Sequence, residues 1–125
     1  MSLNYVMLGS NDVAKARAFF DGVFPLIGGK VVAEYPPHAI CYELRDGGRV
    51  WLATPYNNEA SHPGNGVMLG LKCESPEEVR AAHAKALELG GANEGDPGPR
   101  PLYGPDFFGA YVRDLDGNKM SFVHF

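Results

Sequence analysis

The sequence predicts an α+β protein made of two copies of a strand–helix–strand–strand–strand module. Three observations carry that prediction. Helix-start chemistry at Ser10-Asn11-Asp12 returns at Ser75, 65 or 64 residues on, and the helix-ending pair Gly28-Gly29 returns as Gly90-Gly91, 62 residues on. A spacing near half of a 125-residue chain is the mark of a duplicated unit. Runs of strand formers follow each helix, and the chain ends in two such runs around Asp114-Leu115-Asp116-Gly117-Asn118, whose Asx and Gly residues suit a tight turn. One module alone leaves a sheet face bare. Two must therefore close on each other, or on a second chain, around a cup.

In order, Asn4–Gly9 is a short apolar strand. The helix that follows, Val13 to Ile27, places Val13, Ala16, Phe20, Phe24 and Ile27 on one face, with Pro25 bending its end. Lys30–Tyr35 runs into the Pro36-Pro37 break, Ala39–Arg45 alternates with Ile40, Tyr42 and Leu44 on one side, and Asp46-Gly47-Gly48 turns into Arg49–Thr54. The polar stretch Pro55 to Asn65 is the linker. The pattern then restarts with Gly66–Cys73. Ser75-Pro76-Glu77-Glu78 is a capping box with Pro at the first helical position, followed by Val79, Ala82, His83, Ala86 and Leu89 on the apolar face. Ala92–Gly95 is a weak strand, and Asp96 to Asp106, with four prolines, is expected to be a long loop. Residues 3–55 and 65–125 are thus the two modules of one domain, 1–125.

Composition removes several function classes. A net charge of −4 gives no basic footprint for nucleic acid. No apolar run approaches membrane-spanning length, and the first residues lack the pattern of a secretory leader, so a cytoplasmic protein without membrane partners is expected. Cys41 and Cys73 lie in separate strand-like runs and read as buried free thiols in a reducing compartment. There is no nucleophile elbow, P-loop or dinucleotide fingerprint.

The closing segment, an aromatic strand, then Arg113-Asp114-Leu115-Asp116-Gly117-Asn118-Lys119, then an apolar strand, resembles the C-terminal signature of the glyoxalase / bleomycin-resistance / extradiol-dioxygenase proteins, the vicinal oxygen chelate superfamily. The resemblance extends from Tyr5 to Phe125. It implies two βαβββ modules whose eight strands form a curled sheet around a central pocket, and a homodimer. In metal-using members four ligands come from the first and last strand of each module. Carried over, those positions are Tyr5, Trp51, Val67 and Ser121, none of them a good donor. A catalytic divalent metal needs three or four convergent His, Asp, Glu or Cys side chains. The implied protein therefore has no metal cofactor and binds a small hydrophobic or aromatic molecule, as the bleomycin-resistance branch does.

Alternation extends the expected lining to Met7 beside Tyr5 and Leu69 beside Val67, with Ala53 and Val123 behind Trp51 and Ser121. Tyr42 is expected to join from the third strand. Tyr111, with Gly109 and Arg113 on its face, stands where related fosfomycin-resistance enzymes put a substrate-contacting Tyr. Tyr103 and Arg100 are placed to cover the pocket from the long loop. Each has a plainer reading: Tyr5, Trp51 and Tyr111 as core packing, Arg113 as a charge paired with Asp114 or Asp116. The rival function is a lyase or dioxygenase-type enzyme resembling lactoylglutathione lyase, its ligands drawn from other positions such as His38, His62, Glu43 or Glu59. His83 and His124 read as structural. A ferredoxin-like regulatory domain is disfavoured by three strands after each helix.

Overall fold

The computed structural model describes residues 3–125; the first two residues of the expected domain lie outside it. Eight strands fall into two four-stranded sheets of identical layout. The first holds β1 (Tyr5–Gly9), β2 (Lys30–Tyr35), β3 (Ala39–Glu43) and β4 (Arg49–Ala53) in the order β1-β4-β3-β2. The second holds β5 (Leu69–Lys72), β6 (Ala92–Pro99), β7 (Phe108–Arg113) and β8 (Lys119–His124) in the order β5-β8-β7-β6. In each, the first strand runs parallel to the last and the other pairings are antiparallel. Among the described residues no ladder joins the two sheets, so the eight-stranded arrangement is two open sheets rather than a closed barrel.

One helix follows the first strand of each sheet. α1 (Val13–Val23) is capped by Asp12, whose carboxylate accepts from Lys15 N–H, and Pro25 converts its end to a 3-10 turn, Phe24–Ile27. α2 (Pro76–Glu88) is capped by the Ser75 hydroxyl, which accepts from Glu78 N–H at 3.1 Å. None is long and apolar enough to cross a membrane. The helix-ending glycines do two different jobs. Gly28 (φ +80°) and Gly90 (φ +100°) take the left-handed conformation that ends a helix. Gly29 and Gly91 have no room for a Cβ, which would lie 2.9 Å from Phe24 Cβ and 2.8 Å from the Ala86 carbonyl.

The two helices and the inner faces of both sheets share one apolar core. Val6 and Leu8, Ile40 and Tyr42, Val50 and Leu52 join the core of α1 and the 3-10 turn after it, where Phe19, Phe20 and Phe24 are all but sealed. Leu69 and Leu71, Ala110 and Val112, Met120 and Phe122 line the same core from the second sheet, together with Val79, Ala82 and Ala86 of α2. His83 is buried with its Nε2 3.0 Å from Asn93 Oδ1, and His124 Nδ1 approaches the Cys73 carbonyl, so both are structural.

Two joints lock the modules, each formed by one module's hairpin turn on the other's strand–helix junction. From the β3–β4 turn, Arg45 donates two bonds to the Glu78 carboxylate, at 2.7 and 2.9 Å, and reaches Glu74. From the β7–β8 turn, Asp116 accepts from Asn11 N–H at 2.9 Å and Asn118 donates to the Gly9 carbonyl at 3.0 Å. The linker is strapped to that second joint: Asn11 and Ser61 exchange a reciprocal pair of bonds.

Three sequence expectations change. β6 continues through Pro99, so Asp96–Pro99, the start of the stretch read as loop, is strand. Prolines are tolerated there because β6 is an edge strand, bulged twice against β7, which needs few N–H donors. The fifth strand begins at Leu69, which puts Val67 ahead of it and turns Leu69 into the core. Tyr42 also faces the helix: it is 1% exposed, packs edge-on against Phe24, and donates its hydroxyl to Asp21 at 2.7 Å. Burial, then that bond, pushes its pKa upward.

Candidate functional site

Because side chains alternate along a strand, the core residues above fix what lies on the other, helix-free face of each sheet. On the first sheet that open face carries Tyr5 and Met7 from β1 and Trp51 and Ala53 from β4. Tyr5 is 54% and Met7 56% exposed, high values for such side chains on a sheet. Tyr35 of β2 lies flat against Trp51, ring centroids 6.0 Å apart and planes 18° apart. The sulfur of Cys41 is sealed between strands, and burial pushes its pKa up; Cys73, buried at the start of the β5–α2 turn, is pushed up to about 12. Neither thiol is a nucleophile at neutral pH.

The second sheet's open face is built differently. Gly109, Tyr111 and Arg113 alternate along β7 and stand opposite Val123, Ser121 and Lys119 of β8. Gly70 and Lys72 of β5 continue the face, Gly70 beside Ser121. The Arg100 guanidinium and the Lys119 ammonium lie 5.5 and 6.0 Å from the Tyr111 ring centroid. Arg113 bonds Glu94 at 2.8 Å and the Gly117 carbonyl at 2.8 Å, so its partner is neither Asp114 nor Asp116. Tyr103, in a 3-10 turn at Pro101–Tyr103, packs edge-on against Phe107, whose ring covers Gly109. A cleft of about 540 Å³ opens between the Pro63–Met68 segment and the Arg113 and Lys119 side chains. A second cleft, about 630 Å³, lies at the module seam against Arg45, Glu74 and Lys72, walled by the joint itself.

The positions carried over from metal-using proteins do not fit a divalent metal. Tyr5 stands beside Arg49 and Met7 beside Trp51 across the β1–β4 ladder, and Ser121 stands beside Gly70. The strand register puts Met68 on the open side in place of Val67, and a thioether is no better a donor there for a hard cation. Among the described residues no three His, Cys, Asp or Glu side chains converge on one point, so His38, His62, Glu43 and Glu59 form no such group. Glu43 pairs with Arg49, and Glu59 accepts from Asn57.

Of the residues named from sequence, Tyr5, Met7, Trp51, Tyr111 and Ser121 share the open faces; Val67 lies at the rim of the cleft and Tyr103 at the far end of β7. Tyr42 and Leu69 belong to the core. Sequence reasoning passed over Tyr35, Met68 and Lys119. Alternation back from Ser121 identifies Lys119, and nothing local signals the Tyr35–Trp51 stack.

A βαβββ pair with this strand order and one open face per sheet defines a vicinal-oxygen-chelate architecture. The chain belongs to the Glyoxalase/Bleomycin resistance protein/Dioxygenase superfamily, whose sequence profile matches residues 2–122. It is similar to a glyoxalase/bleomycin resistance protein from Albidiferax ferrireducens T118, at 33% identity and TM-score 0.88, covering 100% of this chain and 99% of that one. A glyoxalase-related enzyme from Fulvimarina pelagi shares the fold at 20% identity and TM-score 0.81, over 100% of this chain and 88% of that one. A lactoylglutathione lyase from Agrobacterium tumefaciens does so at 17% and 0.71, over 98% and 92%. No curated protein matches in sequence.

Proposed function

We propose that this chain is a one-domain, cytoplasmic binding member of its superfamily, which holds a small hydrophobic or aromatic molecule on its open faces without the family's metal centre. The observation that carries this is the aromatic face of the first sheet, where Tyr5, Met7 and Tyr35 are exposed and Tyr35 lies flat on the partly buried Trp51. Aromatic side chains each offer 150–250 Å² of surface, worth about 25 cal/mol per Å² when covered, so such a face favours a planar apolar guest. The donor chemistry at Tyr5, Trp51, Met68 and Ser121 supports a metal-free pocket. Two open sheets with exposed apolar residues also support a homodimer, in which a second copy closes the cup. Two free buried thiols suit a reducing cytoplasm.

The test is elemental analysis of metal-stripped protein re-equilibrated with Zn²⁺, Ni²⁺, Mn²⁺ and Fe²⁺, followed by a thermal-shift screen of small aromatic compounds. Retention of no stoichiometric metal, with aromatic hits that vanish in Trp51→Ala, is expected; a bound ligand raises stability by RT ln(1 + [L]/Kd). One equivalent of a single tightly held metal would overturn the reading. Mutation of His38, His62 and Glu43, with assays of hemithioacetal isomerisation and ring cleavage, would then follow.

A further inference from the structure

We infer that the open face of the second sheet is an anion subsite, in which Arg100 and Lys119 receive the carboxylate of an aromatic acid. The inference rests on the binding reading above and narrows its ligand class from aromatic molecules to aromatic anions.

The first observation is an excess of cationic charge on one face of an acidic protein. Lys72, Arg100, Arg113 and Lys119 stand on or beside this face, whereas the chain as a whole carries a net charge of −4. Glu94 is the carboxylate that pairs here, and it is taken by Arg113. Among the described residues neither Arg100 nor Lys119 has a carboxylate within ion-pair distance. Every other arginine except Arg80, which lies over Phe108, is so paired.

The second observation is that Arg100 is held in place rather than waving in solvent. Its two terminal nitrogens donate to the carbonyls of Asp96, at 2.8 Å, and Pro99, at 3.3 Å. The guanidinium lies over β6 where that strand has no side chains: a Cβ on Gly95 or Gly98 would come 3.4 or 3.3 Å from those nitrogens. The bulged, glycine-rich strand is thus a bed that aims a cation at the Tyr111 ring. Backbone carbonyls neutralise only part of a guanidinium's demand, and its remaining N–H groups are free to bond a carboxylate. Lys119 approaches the same ring from the 540 Å³ cleft, which it lines with Arg113, so the two cations meet at Tyr111.

The third observation supplies the aromatic half of the ligand. Phe107 packs over Gly109, which pairs with Gly98 beneath the Arg100 guanidinium, and with Tyr103 it offers ring surface next to Arg100 without recourse to the first sheet. A guest with its ring against Phe107 and its carboxylate toward Tyr111 meets complementary chemistry at both ends.

The experiment compares benzoate with benzamide, its near-isosteric neutral partner, and with acetate, by calorimetry at low salt. Wild-type protein is expected to bind benzoate about tenfold or more tighter than benzamide, the scale of one charge-assisted hydrogen bond, with the margin shrinking as salt rises. Arg100→Gln and Lys119→Gln, separately and together, should erase that margin and leave benzamide binding unchanged; unshifted melting curves show that the variants fold. Equal affinity for benzoate and benzamide overturns the anion subsite while leaving the aromatic-binding function standing. Acetate binding as tightly as benzoate overturns the aromatic half of the proposal. Failure of all three probes overturns the subsite, while the broader reading stands or falls on the thermal-shift screen and its Trp51→Ala control.

Discussion

The two modules share a layout down to the order of strands, yet their open faces have diverged. The first presents Tyr5, Met7, Tyr35 and Trp51, an aromatic surface with the Glu43–Arg49 ion pair at its edge. The second presents Tyr111 between two cations, with Ser121 and the glycines Gly70 and Gly109 leaving space around it. Their helix-facing sides have not diverged in kind: both are aliphatic and aromatic and merge into one core. The core positions answer to packing density, which penalises any change of volume, while the open faces answer to whatever they bind. A duplicated fold thus keeps one side for stability and frees the other for recognition.

The sharpest way to break this comparison is to truncate one large side chain on each side. Phe122→Ala removes a fully buried ring from β8 and should cost about 3–5 kcal/mol in urea denaturation. Trp51→Ala removes a larger ring that is only partly buried and stacks on the exposed Tyr35, and should cost about 1–2 kcal/mol, clearly less than Phe122→Ala. Comparable losses for the two would mean that the aromatic face is part of the folding core, and the division of labour would fail.

The helix-ending glycines give the next largest effect and test how alike the modules are inside. Gly29→Ala and Gly91→Ala both force a Cβ into occupied space, so each should destabilise by about 1–3 kcal/mol. Gly91→Ala should be the worse of the two. Its Cβ meets three groups within 3.0 Å, the carbonyls of Ala86 and Arg113 and the Phe19 ring, whereas a Cβ on Gly29 comes that close only to Phe24 Cβ, with the Phe24 carbonyl at 3.1 Å. The reverse order would show that the second module tolerates strain that the first does not.

How much of this was legible in sequence follows from which physical signals are local. Helix caps, glycine pairs and strand runs are set by neighbouring residues, and Asp12, Ser75, Gly28 and Gly90 stand where local chemistry puts them. Which face of a strand meets the helix is not local. In Ala39–Glu43 alternation separates Ile40 and Tyr42 from Cys41 and Glu43, but only packing decides that the Tyr pair goes inward, and a buried phenol is admissible there because Asp21 accepts its hydrogen bond. The expected strand begins at Gly66, three residues before β5, and its alternation is out of phase by one, which puts Leu69 on the wrong side, since a register slip exchanges faces. The long edge strand β6 was hidden by prolines that an edge tolerates. Of the site, the aromatic residues were visible by alternation; the bed under Arg100 was not, because it depends on Gly95 and Gly98 coming to lie beside Arg100 once the strand bulges.

At the joints the modules differ again, and Asp114 measures by how much. Its carboxylate, 6% exposed, accepts from the backbone N–H groups of Asp116 and Asn118 and from the Asn118 side chain, at 2.8–3.0 Å. Asp114→Ala leaves those donors without a partner and should cost about 1–3 kcal/mol. Leu115, packed on the core from the same turn, would lose its mooring, so the loss should be accompanied by faster hydrogen exchange at Asn11 and Ser61. Unchanged exchange at those two amides would show that the β7–β8 turn does not hold the linker.

The smallest effect is a difference of sign. Arg45 beside Glu78 holds the Glu78 carboxyl below its ordinary range, so that joint contributes stability that is fully present above the unfolded Glu value, about 4.3, and is lost as pH falls through the lowered folded value. Burial raises Asp114 instead, against the pull of its hydrogen bonds, so its protonated form is the one folding favours. Its contribution is fully present below the unfolded Asp value, about 3.9, and is lost as pH rises through the raised folded value. Acidification from pH 5 to 3 therefore weakens the first joint while it relieves the second. In chemical denaturation across that window, Glu78→Gln should flatten the acid decline of stability and Asp114→Asn should steepen it. Each change of slope must stay within the one-proton limit of about 1.4 kcal/mol per pH unit. Two variants that shift the profile in the same direction would mean that the joints, like the cores, have kept a common character, and that only the open faces have diverged.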